Sequence, residues 1–424
     1  MTTMHRQSLR RIAIISLTGL SLSGEALSVD WPEFRGPTAQ GHAHSGVKLP
    51  IEWSPTKNIV WKQAIPGEGW SSPVLRDGKL FLTTAVPMDE SEKPARSLRA
   101  LCLDESTGKT LWDTQVFQQP AYAPKIHKKN GHASPTPVVT PDKKVYIHFG
   151  HQGTACLDME GKVIWATRSL QYTPVHGNGG SPVVVGDLLF FSCDGGSDPF
   201  VVALDRHTGK IVWRKNRLTD AKKKFSFNTP LFVSINGQDQ IISLGSNAVM
   251  AYAPSDGAEI WRCRYDGYSV IPRPVFGHGL VFLSSGYDRP TFYAIDPSGK
   301  GDVTDTHVKW TMAKGAPHTP SPLLVGDELY MVSDGGIATC VAAKTGKEHW
   351  KERLCGSTSA SPFHADGKIF IHDEAGKGVV IRAGKEFKKL AENDMGERTL
   401  ASCAVGDDCF YMRTAAGLYK VAGK

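Results

Sequence analysis

One stretch limits the fold of this chain more than any other: Phe200-Val-Val-Ala-Leu-Asp-Arg-His-Thr-Gly-Lys-Ile-Val-Trp213. An apolar run meets an Asp, a Thr-Gly-Lys turn and a short run ending in Trp, which is the pattern of one β-hairpin. Val201, Val202, Ala203 and Leu204 suit a buried strand. Asp205 and Thr208 can hydrogen-bond the turn backbone, and Gly209 can take the positive φ that closes the loop. The unit returns as Leu101–Asp104 with Thr107-Gly-Lys-Thr-Leu-Trp112, and as Thr339–Ala342 with Thr345-Gly-Lys-Glu-His-Trp350. A recurring hairpin cannot bury both of its faces alone, so its copies must stack on one another.

Two further strands precede each hairpin. The first is marked by Ser-Pro or Thr-Pro before a hydrophobe, at Ser72, Thr136, Ser181, Thr229, Ser321 and Ser361, with Arg273-Pro274 and Ser402-Cys403 filling two more places. The second carries alternating bulk, as in Asp187–Phe191 and Glu328–Val332. Four strands per unit at a period of about 40–50 residues is the signature of a β-propeller. The predicted fold is therefore all-β, with eight four-stranded blades. The last blade, Thr399 to Val421, has three strands and no Trp strand, whereas Ile59-Val60-Trp61 is a Trp strand without a blade. The N-terminal strand is expected to complete the C-terminal blade, closing the ring and removing a sheet edge. Trp112, Trp165, Trp213, Trp261, Trp310 and Trp350 are expected to wedge between neighbouring blades, with Phe387 in a seventh such place.

Composition fits a soluble globular chain: 40% of the 424 residues are hydrophobic and no low-complexity block interrupts them. The formal charge is +7, of which residues 1–28 account for +2 through three arginines and one glutamate. The remainder does not point to nucleic acid, and Lys222–Lys224 and Lys125, Lys128 and Lys129 read as solvated loop charges. Residues 1–28 have the layout of a secretory signal, with basic residues to Arg11, apolar Ile12–Leu22 and small residues around Ala26 and Ser28. The apolar stretch is short for a membrane span, and no Cys follows it to carry a lipid. The expected organisation is a signal at 1–28, an ordered arm at 29–57 packed on the main body, and a propeller at 58–424. The expected protein is a monomer, exported to the periplasm or beyond. Among eight cysteines, Cys102, Cys156 and Cys340 share one repeat position and read as small buried hydrophobes. A disulfide is considered only between Cys403 and Cys409.

Several catalytic motifs are absent. Gly108-Lys109-Thr110 lacks the first glycine of a phosphate loop, and Gly177–Gly180 precedes Ser-Pro instead of a helix. No nucleophile elbow, zinc-protease helix or covalent-haem motif occurs. The candidate ligand residues are instead those that precede the innermost strands: His132, Asn178, Asn228, Arg273, His318 and Arg398, with Trp70 near the axis. A propeller gathers such positions at one channel mouth, where they bind an anionic or metal-linked ligand or cap strand ends. His148 and His151 could meet on a metal, but no third ligand is evident and no metal is assigned. Asp194–Asp198, Gly286–Asp288 and Asp334–Gly336 read as Asx-type turns.

The strand, Leu-Asp, Thr-Gly-Lys and Trp series, seen in Val202–Trp213 and Ala155–Trp165, resembles the pyrroloquinoline-quinone (PQQ) propeller repeat over residues 58–424. With Trp31-Pro-Glu-Phe-Arg-Gly-Pro37 after a signal-like segment, the chain is similar to exported PQQ-like repeat proteins of planctomycete-type bacteria. The resemblance implies one of two functions: a PQQ- and calcium-dependent dehydrogenase of alcohols or sugars, or a non-enzymatic propeller of outer-membrane protein assembly. For the first, no two cysteines are adjacent to form the vicinal disulfide of many such enzymes, no calcium constellation matches, and no catalytic residue carries over. Trp70 alone offers a stacking aromatic. For the second, the lipid-bearing cysteine is missing. The reading adopted is a non-catalytic binding or scaffolding propeller, without an assigned cofactor, that takes a protein or small-molecule ligand at one face. The quinoprotein dehydrogenase is the alternative.

Overall fold

The computed structural model describes residues 29–423, so the candidate signal lies outside the described residues. Eight sheets, each built on four antiparallel strands, follow one another along the chain from an inner to an outer strand, and in all but the seventh that outer strand carries a Trp. Blade 1 consists of Val74–Arg76, Lys79–Pro87, Arg96–Asp104 and Thr110–Gln119. Blade 8 is Ala404–Val405, Cys409–Arg413 and Leu418–Ala422, completed by Ile59–Gln63, which pairs antiparallel with the last of these and sets Trp61 opposite Lys420. The chain thus forms an eight-bladed propeller closed by its own N-terminal strand. Blade 4 carries a fifth strand, Gly301–Asp302, borrowed from the outer hairpin of blade 5 and running parallel to Glu259–Arg264.

The hydrophobic core lies between the blades. Val183, Phe190 and Val201 of blade 3 meet Ile241, Met250 and Tyr252 of blade 4, and the same kind of layer fills the other interfaces. The repeating hairpin explains how each layer is sealed at the rim. Ala203 pairs with Trp213, a bulge follows, and Asp205 Oδ1 accepts the backbone N–H of His207 and Thr208 and the Thr208 hydroxyl. Gly209 closes the turn at φ +71, and a Cβ there would meet the Trp165 indole of the preceding blade at 2.5 Å. The Trp165 indole N–H donates to the Arg206 carbonyl of the same turn at 2.9 Å. Trp112 and Trp310 repeat this bond to Met159 and Ala343, and Trp61 repeats it to Glu105, locking blade 8 to blade 1.

One of the aromatic assignments needs correction, and another differs in its hydrogen bond. Trp261 does lie between blades, fully buried beside Val281, Leu283 and Ile295 of blade 5, but its N–H goes to Gln240 of its own blade, and the long blade 5 hairpin lays Gly301 beside it. In blade 7 the Trp register position, opposite Val380, belongs to Ala391. Phe387 precedes that strand and packs instead on Trp350 of blade 6, ring centroids 5.2 Å apart. The register does place Cys102, Cys156 and Cys340 alike, each opposite its blade's Trp. Cys403 and Cys409 are free. Gly406 closes onto Cys409, three residues beyond Cys403, so the two are not cross-strand partners. The Cys403 sulfur lies 3.9 Å from His372 Nδ1 and that of Cys409 3.2 Å from the Tyr411 hydroxyl.

Residues 29–57 cross one end of the propeller axis. Trp31 exchanges two backbone hydrogen bonds with Leu75, and Pro32 accepts from Val139. The Arg273 guanidinium reaches the Phe34 carbonyl at 2.5 Å and Glu33 at 2.9 Å. Arg35, buried and with its pKa lowered to about 9 by desolvation and by Arg273, donates to the carbonyls of Gln40 and Pro322. Further on, Trp53 inserts between blades 7 and 8, against Phe370 and Phe410. The segment ties blades 1, 2, 5, 6, 7 and 8 together and shuts one mouth of the central channel.

Candidate functional site

The wall of the channel is built from the Ser-Pro and Thr-Pro marks. The backbone N–H of Ser72 donates to the Thr136 hydroxyl, that of Thr136 to Ser181, and that of Ser181 to Thr229, at 2.9–3.0 Å. Arg273 N–H then donates to Ser321, Ser321 to Ser361, and Ser361 to Ser402. Two runs of donors thus pass from blade to blade around the axis, from blade 1 to blade 4 and from blade 5 to blade 8, and a proline that follows the Ser or Thr holds its inner strand in extended geometry. A hydroxyl that has accepted an N–H keeps its own proton. Among the described residues none of these six hydroxyls donates to the protein, and all six line the cavity, so the wall offers donors toward the axis.

The cavity is a blind cup of about 840 Å³, with Phe34 of the crossing segment at its closed end. Its open rim carries a continuous run of aromatic rings. His127, His176, Phe225, Tyr268, Tyr287 and His318 follow one another edge to face, with centroids 5.4–5.8 Å apart. These rings come from five successive inter-blade loops and from the inner loop of blade 5. Edge-to-face contact places the positive edge of one ring on the negative face of the next, stiffening loops that otherwise have few partners. On the far side Trp70 faces the cup, with the Arg398 guanidinium 5.4 Å over its ring.

The loop between blades 1 and 2 spans the mouth. Lys129 Nζ reaches Glu374 of blade 7 at 2.7 Å and Asp334 of blade 6 at 4.0 Å, and Arg398 holds the Lys128 carbonyl at 2.6 Å. Lys129 is thus a strap and not a solvated loop charge. Opposite, Lys223 Nζ donates to the Tyr268 hydroxyl, which donates to Asp288 at 3.0 Å. Asp334 accepts the N–H groups of His318 and Thr319 and the Thr319 hydroxyl. Asp194 accepts from Arg217 Nε at 2.8 Å, both side chains being buried. Neither aspartate makes the expected Asx turn, since each reaches out of its own loop to brace the next.

The candidate residues separate into two groups. Trp70 and His318 line the cup, and Arg398 stands over the Trp70 ring. His132, Asn178, Asn228 and Arg273 do not line it: they hold loops. The His132 ring is bonded to the Gln119 amide and its pKa is lowered to about 4 by burial, with Arg96 adding to the shift. Asn178 accepts from Tyr172 and donates toward the Phe149 carbonyl. Asn228 ties the Pro272 carbonyl to the Leu244 N–H, and Arg273 binds the N-terminal segment. His148 Nδ1 is held by Thr154 and His151 Nδ1 by Asn178. Among the described residues no group of three or more His, Cys, Asp or Glu is placed to hold a metal ion. The aromatic rim was missed at the level of sequence. His127, His176, Phe225, Tyr268 and Tyr287 lie in loops without periodicity, although each falls in the stretch between a Trp strand and the next inner strand, or in an inner loop.

The surroundings of Trp70 do not suit a quinone held with calcium. One face of the indole carries Arg398, and the nearby carboxylates of Asp334 and Glu374 are engaged by backbone N–H groups, a hydroxyl and Lys129. What the cup can do is stack on amphipathic surfaces and hydrogen-bond from its wall. Its charges are balanced, with Lys129, Lys223 and Arg398 set against Glu374, Asp334 and Asp288.

Comparison with known proteins agrees with the architecture. The sequence profile of the family described as outer membrane protein assembly factor BamB matches residues 43–197, 197–311 and 302–417. A curated relative, outer membrane protein assembly factor BamB of Burkholderia pseudomallei (strain K96243), is 29% identical over 117 residues. The match takes in 27% of this chain and 30% of that protein, so it spans less than a third of the relative's length. The crystal structure of BamB from Moraxella catarrhalis superposes with a TM-score of 0.62 at 12% identity, covering 86% of this chain and 97% of that one. A europium-containing methanol dehydrogenase gives 0.52 at 11% identity, covering 84% and 89%. At such identities the structural likeness speaks for the fold alone. No helix of the described residues is long and apolar enough to cross a membrane.

Proposed function

Because the chain belongs to the BamB family of PQQ-like propellers, we propose that it is an exported, non-catalytic binding and scaffolding protein that holds its partner or ligand at the open mouth of the axial cup. The observation that carries this reading is the asymmetry of the channel. One end is occupied by residues 29–57, while the other presents a rim of aromatic rings in a cup of about 840 Å³, within the range of ligand sites. Exposed Tyr287 and partly buried Trp70 and Tyr268 are the residue types that anchor recognition surfaces. The segment 1–28 supports export, and the family's connection with outer-membrane protein assembly supports a protein partner.

The test is affinity capture from the exported fraction of the source cell, with the wild-type propeller and with Tyr287→Ala. Specific retention of a partner by the wild type that is lost with the rim variant supports the proposal. Reduction of a dye with alcohols or sugars after addition of PQQ and calcium would overturn it in favour of the dehydrogenase.

A further inference from the structure

We infer that the cup is a saccharide-binding site, taking the end of a neutral oligosaccharide with its sugar rings against the aromatic rim and its hydroxyls against the Ser/Thr wall. The inference rests on the cup being the functional mouth of the propeller and adds the ligand class. Three observations converge on it. First, the rim joins His176, Phe225, Tyr268 and Tyr287 in edge-to-face order, so successive rings present alternating faces and edges around an arc. No pair in that arc is parallel, so it does not form a slot for a flat conjugated ligand. It suits a pyranose, whose C–H groups form a weakly polarised apolar face that packs on π-clouds.

Second, the wall donates. Thr136, Ser181, Thr229, Ser321, Ser361 and Ser402 have each accepted one backbone N–H and retain an O–H. Hydroxyls that can donate while holding a spare lone pair match a ligand whose groups are themselves both donors and acceptors. An extended peptide would ask for paired donors and acceptors at strand spacing, which hydroxyls contributed singly by six different blades do not supply.

Third, the mouth is close to electrically neutral. Lys129 is paired with Glu374 at 2.7 Å, and Lys223 is linked through the Tyr268 hydroxyl to Asp288. A strongly anionic ligand would have to displace these carboxylates, and a cationic one the lysines. A neutral polyhydroxylated ligand disturbs neither. The Lys129 strap crosses the entry, so the non-reducing or reducing end enters beside it while the rest of the chain stays outside.

The experiment is isothermal titration and saturation-transfer NMR of the full chain with a panel of neutral tetrasaccharides of gluco, manno, galacto and N-acetylglucosamine type. Binding of at least one of them with a dissociation constant of about 1 mM or tighter, weakened about tenfold by Tyr287→Ala and by Trp70→Ala, is the expected result. Tyr287→Phe, which keeps the ring, should retain affinity within about threefold. Tyr287 is half exposed, so its variants do not threaten folding. Absence of binding across the panel at about 10 mM overturns the inference. So does tight binding of PQQ or of a captured peptide that is abolished by the same variants. In the peptide case the scaffolding reading survives and the ligand class falls; turnover with PQQ removes both.

Discussion

The contact that Trp61, Trp112, Trp165, Trp213 and Trp310 each make with the next blade's turn glycine can be tested by comparing two alanines. Gly209 and Gly279 have nearly the same backbone, φ +71 and +73, but a Cβ on Gly209 would lie 2.5 Å from the Trp165 indole, whereas one on Gly279 meets nothing within 4 Å. Forcing alanine into left-handed geometry costs about 1–2 kcal/mol. Pressing a methyl group into a packed indole adds about 1–3 kcal/mol. Gly279→Ala should therefore lower stability by about 1–2 kcal/mol, and Gly209→Ala by about 2–5 kcal/mol. Equilibrium urea denaturation followed by Trp fluorescence and far-UV circular dichroism measures both. In a Trp165→Leu background the excess should vanish, because the clash has no partner, leaving a coupling of about 1–3 kcal/mol in the double-mutant cycle. Equal losses for the two glycines, or a Gly209→Ala effect unchanged by Trp165→Leu, would refute the idea that the indole stack seals the blade interface.

Ser181→Ala leaves the buried Thr136 N–H without its acceptor and should cost about 1–3 kcal/mol, while Ser181→Thr, the residue used in two other blades, should restore wild-type stability in the same denaturation assay. Burial holds the pKa of His372 at about 4 and that of His148 at about 3, His151 adding to the latter, against about 6.5 in the unfolded chain. Because the folded values are depressed, the stability each contributes is complete above about pH 6.5 and is lost as pH falls toward 4, roughly 3 kcal/mol per group. His372→Phe should reduce the slope of stability against pH in that window by about one proton, and an unchanged slope measured by thermal melts would count against it. Arg35→Met removes the donors to Pro322 and Gln40, so residues 29–57 should become the first site of limited proteolysis while the blades stay resistant. Cleavage elsewhere at the same rate would show that the guanidinium does not anchor the segment.

Most of the fold was legible in residue order because a propeller is specified locally. The Thr-Gly-Lys turn, the Asp that caps it and the Trp that ends the strand each act within one hairpin or on its immediate neighbour, so one decoded repeat predicts the others and the missing eighth Trp strand at Ile59–Trp61. The errors fell where the repeat is interrupted. Nothing around Trp261 announces that a blade 5 loop will lie beside it, and Phe387 was placed by counting aromatics where the pairing register uses Ala391. The Ser/Thr-Pro marks were correctly assigned to inner strands, but the hydrogen bonds that link them from blade to blade required the axis to be known.

The site was far less legible. Trp70 and His318 line the cup, with Arg398 over the Trp70 ring, yet His132, Asn178, Asn228 and Arg273, chosen by the same rule, turn away to brace loops. Sequence position tells how far a residue is from an inner strand, but the side-chain direction depends on which neighbouring loop has an unpaired group to offer. Amino-acid order alone determined the blades, their number and the closing strand, since these follow from short-range turn chemistry and alternation. Only the tertiary structure decided that one mouth is covered, that Lys129 straps the other, and that rings from six separate loops form one arc, because those contacts join residues up to hundreds of positions apart whose proximity exists only once the ring has closed.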